Sequence, residues 1–283
     1  MINKILKKRT LIPGMVSEIT IYAPHIARKA RPGNFAVLRL SEKGERIPLT
    51  IADKDPEKGT IVIVYLVLGK TSALLDTFEQ GDVILDLCGP LGKPTKIKKQ
   101  GLVVCVGGGT GIAAMHHIAK GNFEAGNEVV SVIGARSKDL LLFKPELERI
   151  SAGVLVATDD GTMGHKGFVT DVLERYLHEN DSVREVVAVG PVPMMKAVAK
   201  VTAPFNVRTM VSLNSIMVDG IGMCGACRVS VGGEIRFACV DGPEFEASRV
   251  DFDELMTRLC AFRDQEKLSM ELFKKSKSSC LKK

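Results

Sequence analysis

The chain has no tryptophan and only three tyrosines in 283 residues, and aromatics are 5% of it, so it is poor in the aromatic platforms on which single-stranded nucleic acids stack. Its net charge of +6 comes largely from one place, the tail KKSKSSCLKK at 274–283, which reads as a solvated terminus. There is no basic stripe elsewhere, and nucleic acid is set aside as a partner. No apolar run is long enough to cross a bilayer, which excludes a membrane-spanning helix. The basic start MINKILKKRTLIPGMVSEI has no long apolar stretch ending in a small-residue cleavage site, so no signal peptide is expected and the chain reads as cytoplasmic. Cysteine is scarce outside one stretch. Of seven, Cys88 and Cys105 fall in apolar strand-like runs and are expected in the core, Cys260 on a helix and Cys280 in the tail. In a cytoplasmic protein such residues are ligands, catalysts or small hydrophobes rather than disulfides.

What is present is the composition of a globular protein, 45% hydrophobic and 25% charged, with length for about two domains and a small appendage. Between residues 10 and 98 the runs SEITIYAP, NFAVLRLS, RIPLTIAD, TIVIVYLVLG and DVILDLCG are separated by turns, which predicts a small antiparallel β-barrel. From residue 101 the pattern becomes strand, Gly-rich turn, helix, strand, and VLVATDDG, DVLERYLHE, VVAVGP and MMKAVAKVT continue the alternation. That is the signature of a parallel sheet covered by helices. A Cys-rich loop follows, and SRVDFDELMTRLCAFRDQEKLSMELFKK reads as one closing helix capped by Asp251 or Asp253. The expected fold is mixed β and α/β: an N-terminal antiparallel barrel over 1–98, a parallel-sheet nucleotide-binding domain over 99–205, and a small C-terminal segment over 206–283.

Six motifs carry chemistry. In GGGTG, residues 107–111, a strand enters a helix through glycines that let backbone approach a pyrophosphate at the helix N-terminus. It is neither a full G-x-G-x-x-G nor a P-loop. Asp159 and Asp160 in VATDDG, and Gly190 and Pro191 in AVGP, close other strands at the edge where open α/β sheets bind ligands. Carboxylates there suit a ribose diol and repel a 2'-phosphate, favouring NAD(H), with Arg136 as a rival cation. In ERIPLTIAD, Arg46 can reach a diphosphate while Pro48, Leu49 and Thr50 offer an apolar wall and a hydroxyl to a flat ring. Gly69, Lys70, Thr71 and Ser72 can cradle phosphate. Finally, Asp219-x4-Cys224-x2-Cys227-x11-Cys239 overlays the plant-type 2Fe-2S spacing with aspartate in the first position. Zinc would accept three thiolates and a carboxylate, but structural zinc usually shows two C-x2-C pairs or a Cys-His set, and no histidine lies near. Unligated cysteines are the remaining alternative.

RIPLT, GKTS, GPLGKP, GGGTGI, GARSKDLLLF, TDDGTMGHKG, VGPVPMMKAV and the cysteine motif, in that order, resemble the ferredoxin-NADP reductase superfamily along nearly the whole chain. Within it the chain is similar to iron-sulfur flavoprotein subunits that serve a larger partner. These are the dihydroorotate dehydrogenase electron-transfer type and the small-subunit type of NADH-dependent reduced ferredoxin:NADP oxidoreductase, an electron-bifurcating transhydrogenase. The orotate type normally supplies four cysteines, so Asp219 favours the second.

The resemblance implies FAD at Arg46, Pro48, Leu49, Thr50, Gly69, Lys70, Thr71 and Ser72. It implies NAD(H) at Gly108, Gly109, Thr110, Gly111, Asp159, Gly190 and Pro191, and a 2Fe-2S cluster on Asp219, Cys224, Cys227 and Cys239. It further implies a heterodimer with a larger iron-sulfur flavoprotein subunit, reaching ferredoxin through the complex. No catalytic acid or base is expected, because hydride transfer to a flavin needs orientation more than proton transfer. One position departs from the pattern: many members carry cysteine before the Gly-Pro near the nicotinamide, and this chain has Val189. Rival functions are an orotate electron-transfer subunit, a stand-alone NADH diaphorase and a zinc-stabilised binding module. Carboxylate and thiolate each carry one negative charge, so aspartate ligation does not predict the high potential of a Rieske centre.

Overall fold

A computed structural model describes residues 1–280, with side chains through Lys275. The first sheet comprises β1 (Lys4–Ile12), β2 (Val16–Tyr22), β3 (Phe35–Arg39), β4 (Arg46–Asp55), β5 (Thr60–Leu66) and β6 (Asp86–Leu91), antiparallel throughout in the order β1-β2-β5-β4-β3-β6. The N–H of Ile5 donates to Asp82 O at 2.8 Å and that of Ile84 to Asn3 O at 3.0 Å, so the residues leading into β6 close the sheet on β1 as a barrel. Alternation builds its core: Ile61, Ile63 and Tyr65 of β5 and Ile19 and Ile21 of β2 are buried, as period-2 apolar strands require. The short helices α1 (Pro24–Lys29) and α2 (Lys70–Leu75) cover it. The sequence patterning missed β1, whose KILKKRTLI spends four of its nine positions on Lys and Arg, leaving Ile5 and Ile12 to face inward. Cys88 was expected in the core and is instead exposed, on the uncovered face of β6.

The second sheet contains β7 (Leu102–Gly108), β8 (Glu128–Ala135), β9 (Gly153–Thr158), β10 (His165–Lys166), β11 (Val183–Val189) and β12 (Arg208–Ser212), with α3 (Gly111–Glu124), α4 (Lys144–Glu148), α5 (Val169–Glu179) and α6 (Val192–Thr202) as crossovers and covers. The order β10-β9-β8-β7-β11-β12 is parallel. The chain's progression across the sheet switches sides between β7 and β11, which run parallel, and this opens the crevice outside their carboxyl ends. Every residue of β7 is buried, as expected of a central parallel strand. Burial pushes the Cys105 thiol up, away from ionisation.

The hairpin β13 (Arg228–Val231) and β14 (Glu234–Phe237) follows, then α7 (Ala238–Asp241), β15 (Glu244–Glu246), α8 (Phe252–Arg258) and α9 (Arg263–Cys280). The parallel sheet continues past residue 205, because β12 extends it and β15 adds an antiparallel edge. Two helices close the chain where one was expected. α8 is capped by Asp251, whose Oδ1 accepts the Glu254 N–H at 2.9 Å. It ends before Cys260, which sits in the turn between the helices rather than on one. The tail expected as a solvated end is helical in its backbone to Cys280, and the last three residues lie outside the described ones. Cys227, Cys239, Phe245 and Leu255 of the C-terminal segment share one core with Val104, Val106 and Val186 of the parallel sheet and Phe35 and Val37 of the barrel.

Candidate functional site

A cavity of about 1100 Å³ lies between the barrel and the carboxyl edge of the parallel sheet. Pro48, Leu49 and Thr50 of β4 form one wall. Gly108, Gly109, Thr110 and Gly111, with Gly190 and Pro191, form the other. The two glycine turns pack backbone to backbone: a Cβ on Gly111 would stand 2.5 Å from Val189 O and 2.7 Å from Gly190 Cα. That contact fixes the start of α3, whose first N–H groups and dipole favour an anion.

Asp159 and Arg136 both line the cavity. Asp160 does not: its Oδ1 accepts the Thr162 N–H at 2.9 Å and hydroxyl at 2.7 Å, bonds that hold the carboxyl below its usual range. One aspartate therefore faces the ligand space and the other ties a loop. Val189 lines the cavity at the position where thiols occur in the superfamily.

Arg46 and Gly69 to Ser72 are not among the cavity-lining residues. Arg46 is exposed opposite Arg39 in the β3–β4 ladder. Gly69 is the N-cap of the six-residue α2, Ser72 Oγ accepts the N–H groups of Leu68 at 3.0 Å and Gly69 at 3.1 Å, and Thr71 donates its hydroxyl to Glu45.

Sequence reasoning missed Ser212, Asn214, Ser215 and Met217, which continue the cavity wall from the last residue of β12 onward. The available signal was position: these residues connect a strand end at the ligand edge to the cysteine motif. Ser215 Oγ is buried with no hydrogen-bond partner among the described residues. An orphaned hydroxyl beside a cavity fits a polar group bound there, and the cavity is large enough for a flavin and a nicotinamide side by side.

The cysteine motif forms a cradle of two pairs. Cys227 and Cys239 are buried with their sulfurs 3.1 Å apart. Burial and the neighbouring thiol push Cys239 up to about 12, a resistance to ionisation that bound cations would remove. Cys224 and Asp219 form the second pair, on the exposed side. Asp219 accepts N–H groups from Ile221 at 3.0 Å, Met223 at 3.1 Å and Cys224 at 2.7 Å, with the Ile221 bond leading in holding its carboxyl below the usual range. Further N–H groups point at sulfur, from Ala226 to Cys224 Sγ and from Cys239 to Cys227 Sγ, both at 3.5 Å.

Among the described residues no three His, Cys, Asp or Glu side chains converge on a single metal ion. Four groups held as two pairs suit two irons with two protein ligands each, and they fit one tetrahedral zinc poorly. Around this loop Val218, Ile221, Met223 and Val240 are exposed, Met223 at 81%.

Residues 105–200 match the oxidoreductase NAD-binding domain family. Residues 214–251 match the iron-sulfur cluster binding domain of dihydroorotate dehydrogenase B. The chain is 50% identical over 275 residues to a dihydroorotate dehydrogenase B (NAD(+)) electron transfer subunit homolog of Thermotoga maritima, covering 97% of this chain and 96% of that one. It is 34% identical to the dihydroorotate dehydrogenase B (NAD(+)) electron transfer subunit of Bacillus caldolyticus, covering 85% and 94%. A solved structure of an NADH-dependent reduced ferredoxin-NADP oxidoreductase, described for flavin-based electron bifurcation, superposes with TM-score 0.91 at 49% identity, over 96% of this chain and 98% of that one. A ferredoxin NADP+ reductase from Neisseria gonorrhoeae, at 19% identity and TM-score 0.55 over 72% and 90%, shares the fold. Among the described residues no helix is long and apolar enough to cross a membrane.

Proposed function

The chain belongs to the family of dihydroorotate dehydrogenase B electron transfer subunits and their homologues, within the ferredoxin-NADP reductase superfamily, and from that premise we propose that it is the NADH-linked subunit of a cytoplasmic, electron-bifurcating ferredoxin:NADP oxidoreductase. The observation that carries the reading is one shared wall: the cavity between β4 and the Gly108–Gly111 turn is lined onward by Ser212, Asn214, Ser215 and Met217, and Met217 stands two residues before Asp219, where the cysteine cradle begins. In this reading residues 1–98 hold FAD, 99–205 hold NAD(H) and 206–283 hold a 2Fe-2S cluster.

When bound, FAD exchanges two electrons with NAD(H) as a hydride and single electrons with the cluster. The chain's own residues bind and orient. Pro48 and Leu49 present an apolar face to the flavin ring and Thr50 a hydroxyl, with Arg46, Gly69, Lys70, Thr71 and Ser72 assigned to its phosphates. The N-terminus of α3 receives the nucleotide's pyrophosphate, and Asp159 accepts from its ribose. Asp219, Cys224, Cys227 and Cys239 hold the cluster, and the loop amides offer hydrogen bonds to its sulfides. The larger iron-sulfur flavoprotein partner meets the apolar rim of Val218, Ile221, Met223 and Val240, which surrounds the exposed pair of ligands and would otherwise face water.

The deciding experiment is an anaerobic titration of the purified chain with NADH, followed by visible absorption and EPR. Flavin bleaching together with a reduced 2Fe-2S signal is the expected result, and a colourless, silent protein after cofactor reconstitution overturns the reading. The second reading, an orotate electron-transfer subunit, is supported by the names of the relatives and of the matched iron-sulfur domain. A purified partner holding 4Fe-4S clusters and a second FAD favours the first, and a partner with FMN and orotate activity favours the second. Full turnover with physiological acceptors and no partner would make the chain a stand-alone diaphorase.

A further inference from the structure

α3 begins at the glycine turn on one wall of the cavity, and six residues beyond Gly111 it buries His117, 4% exposed. The ring's Nδ1 lies 2.7 Å from the carbonyl oxygen of Ile51, the residue after Thr50 on the opposite wall. A carbonyl only accepts, so Nδ1 carries the proton. Burial lowers the ring's pKa, leaving it neutral with Nε2 bare.

The bond falls where β4 is irregular. Its register against β5 breaks between Ile51 and Asp53, and the Ile51 N–H donates to Asn34 O at 3.1 Å. Such breaks re-aim a strand beside a site, at the expense of its ladder. One turn further along α3, Lys120 Nζ lies 2.9 Å from Asp53 Oδ1. His117 and Lys120 thus grip the two ends of the break from one helix face. The gripped strand carries Pro48, Leu49 and Thr50, and the gripping helix carries the Gly108–Gly111 turn. This joint adds a directional tie between the two walls to the apolar packing of Ile12 and Val16 against Ile112 and Met115. Its buried neutral bond matters more than the half-exposed ion pair, which solvent weakens.

We propose that His117 is a positioning residue for hydride transfer, holding the flavin strand at the distance from the nucleotide helix that brings nicotinamide and flavin into reactive contact. The inference rests on the assignment of the cavity to FAD and NADH. In the step concerned, a hydride with its electron pair leaves NADH to give NAD+ and enters the oxidised flavin to give the anionic reduced form. The reaction requires the exchanging atoms at about 3–3.5 Å, so a shift of the walls by a fraction of that distance slows it without weakening binding.

The test is stopped-flow reduction of the FAD- and cluster-loaded chain by NADH, compared among the parent, His117→Phe, which keeps the ring's bulk without the donor, and His117→Asn, which restores a donor near the Nδ1 position. In His117→Phe the expected result is unchanged flavin and iron content, an NADH Kd within about twofold, and a limiting reduction rate at least about tenfold lower. The long-wavelength charge-transfer absorbance between reduced flavin and NAD+ weakens in parallel, and His117→Asn recovers most of both signals. A His117→Phe chain reduced as fast as the parent, with the same charge-transfer band, overturns the proposal. If that variant sheds flavin, Lys120→Met decides, since it loosens the same joint from the surface. A roughly two- to threefold slower limiting rate supports the proposal, and parental values overturn it. A parent that binds flavin and is bleached by dithionite but never by NADH overturns the functional assignment, and this inference with it.

Discussion

Two glycine-rich loops turn backbone N–H groups toward a ligand space, and they use glycine for different reasons. At Gly111 the reason is room: the position is helical, but a side chain would strike the backbone of the neighbouring turn. At Gly222 the reason is handedness: φ is +86°, a region that costs an L-residue roughly 1–2 kcal/mol, and the nearest neighbour is the Val240 side chain at 3.1 Å. The nucleotide turn is held from outside, by a helix and two central strands. The cluster loop is held from inside, by three N–H groups converging on the Asp219 carboxylate. A turn supported by its surroundings keeps its shape when empty, whereas a loop organised by the carboxylate proposed as a ligand ties shape to occupancy.

Asp219→Ala should break this contrast most severely. It removes both the proposed ligand and the acceptor that organises the loop, and the expected outcome is loss of the reduced-cluster EPR signal and of bound iron, with NADH still bleaching the flavin. An unchanged cluster spectrum and potential would remove Asp219 from the ligand set. Next in size, Gly111→Ala should destabilise the chain by about 2–4 kcal/mol and weaken NADH binding, read by chemical denaturation and a binding isotherm. Gly222→Ala, a strained backbone with a movable neighbour, should cost about 1–2 kcal/mol and lower cluster occupancy while leaving NADH affinity unchanged.

Asp159→Ser combined with Asp160→Arg should raise the preference for NADPH over NADH by about tenfold in kcat/KM, with Asp159→Ser alone carrying more of the gain than Asp160→Arg alone, since only Asp159 lines the cavity. If the double variant leaves the preference unchanged, the ribose-recognition argument fails.

A smaller effect sharpens the comparison where the segments join. Glu244 of β15, half-buried and accepting the Thr95 hydroxyl at 2.5 Å, has its carboxyl pushed up to about 7, chiefly by desolvation. Its folded pKa lies above the unfolded one, so stability is fullest below the unfolded value near 4.5 and is lost as pH rises through about 7. Glu244→Gln should therefore raise the melting temperature by a few degrees at pH 8 and hardly at pH 5.

Periodicity made the central strands legible: TIVIVYL and LVVCVGG have no other reading than buried strands. It failed at β1, where Lys4 and the run Lys7, Lys8 and Arg9 mask the inward residues, and at the closing helix, where no proline or glycine marks the turn around Cys260. The cysteine spacing and the glycine turn are local patterns, visible in the sequence without the fold. The orphaned Ser215 hydroxyl and the bond from His117 to Ile51 are not, because each depends on chain segments brought together only by the packing of barrel against sheet. Asp160 shows the same limit at short range: adjacent aspartates look equivalent in sequence, and the loop's hydrogen bonds distinguish them.

The stretch from Ser215 to Asp219 has one more consequence. Four residues of chain, even fully extended, reach no more than about 14 Å, so the lining of the cavity proposed for the flavin and the carboxylate proposed as the cradle's first ligand are tied by a covalent leash too short to permit a swinging domain. Solvent viscosity, which slows any mechanism that waits for one domain to swing to another, should leave the passage of an electron between these two sites untouched.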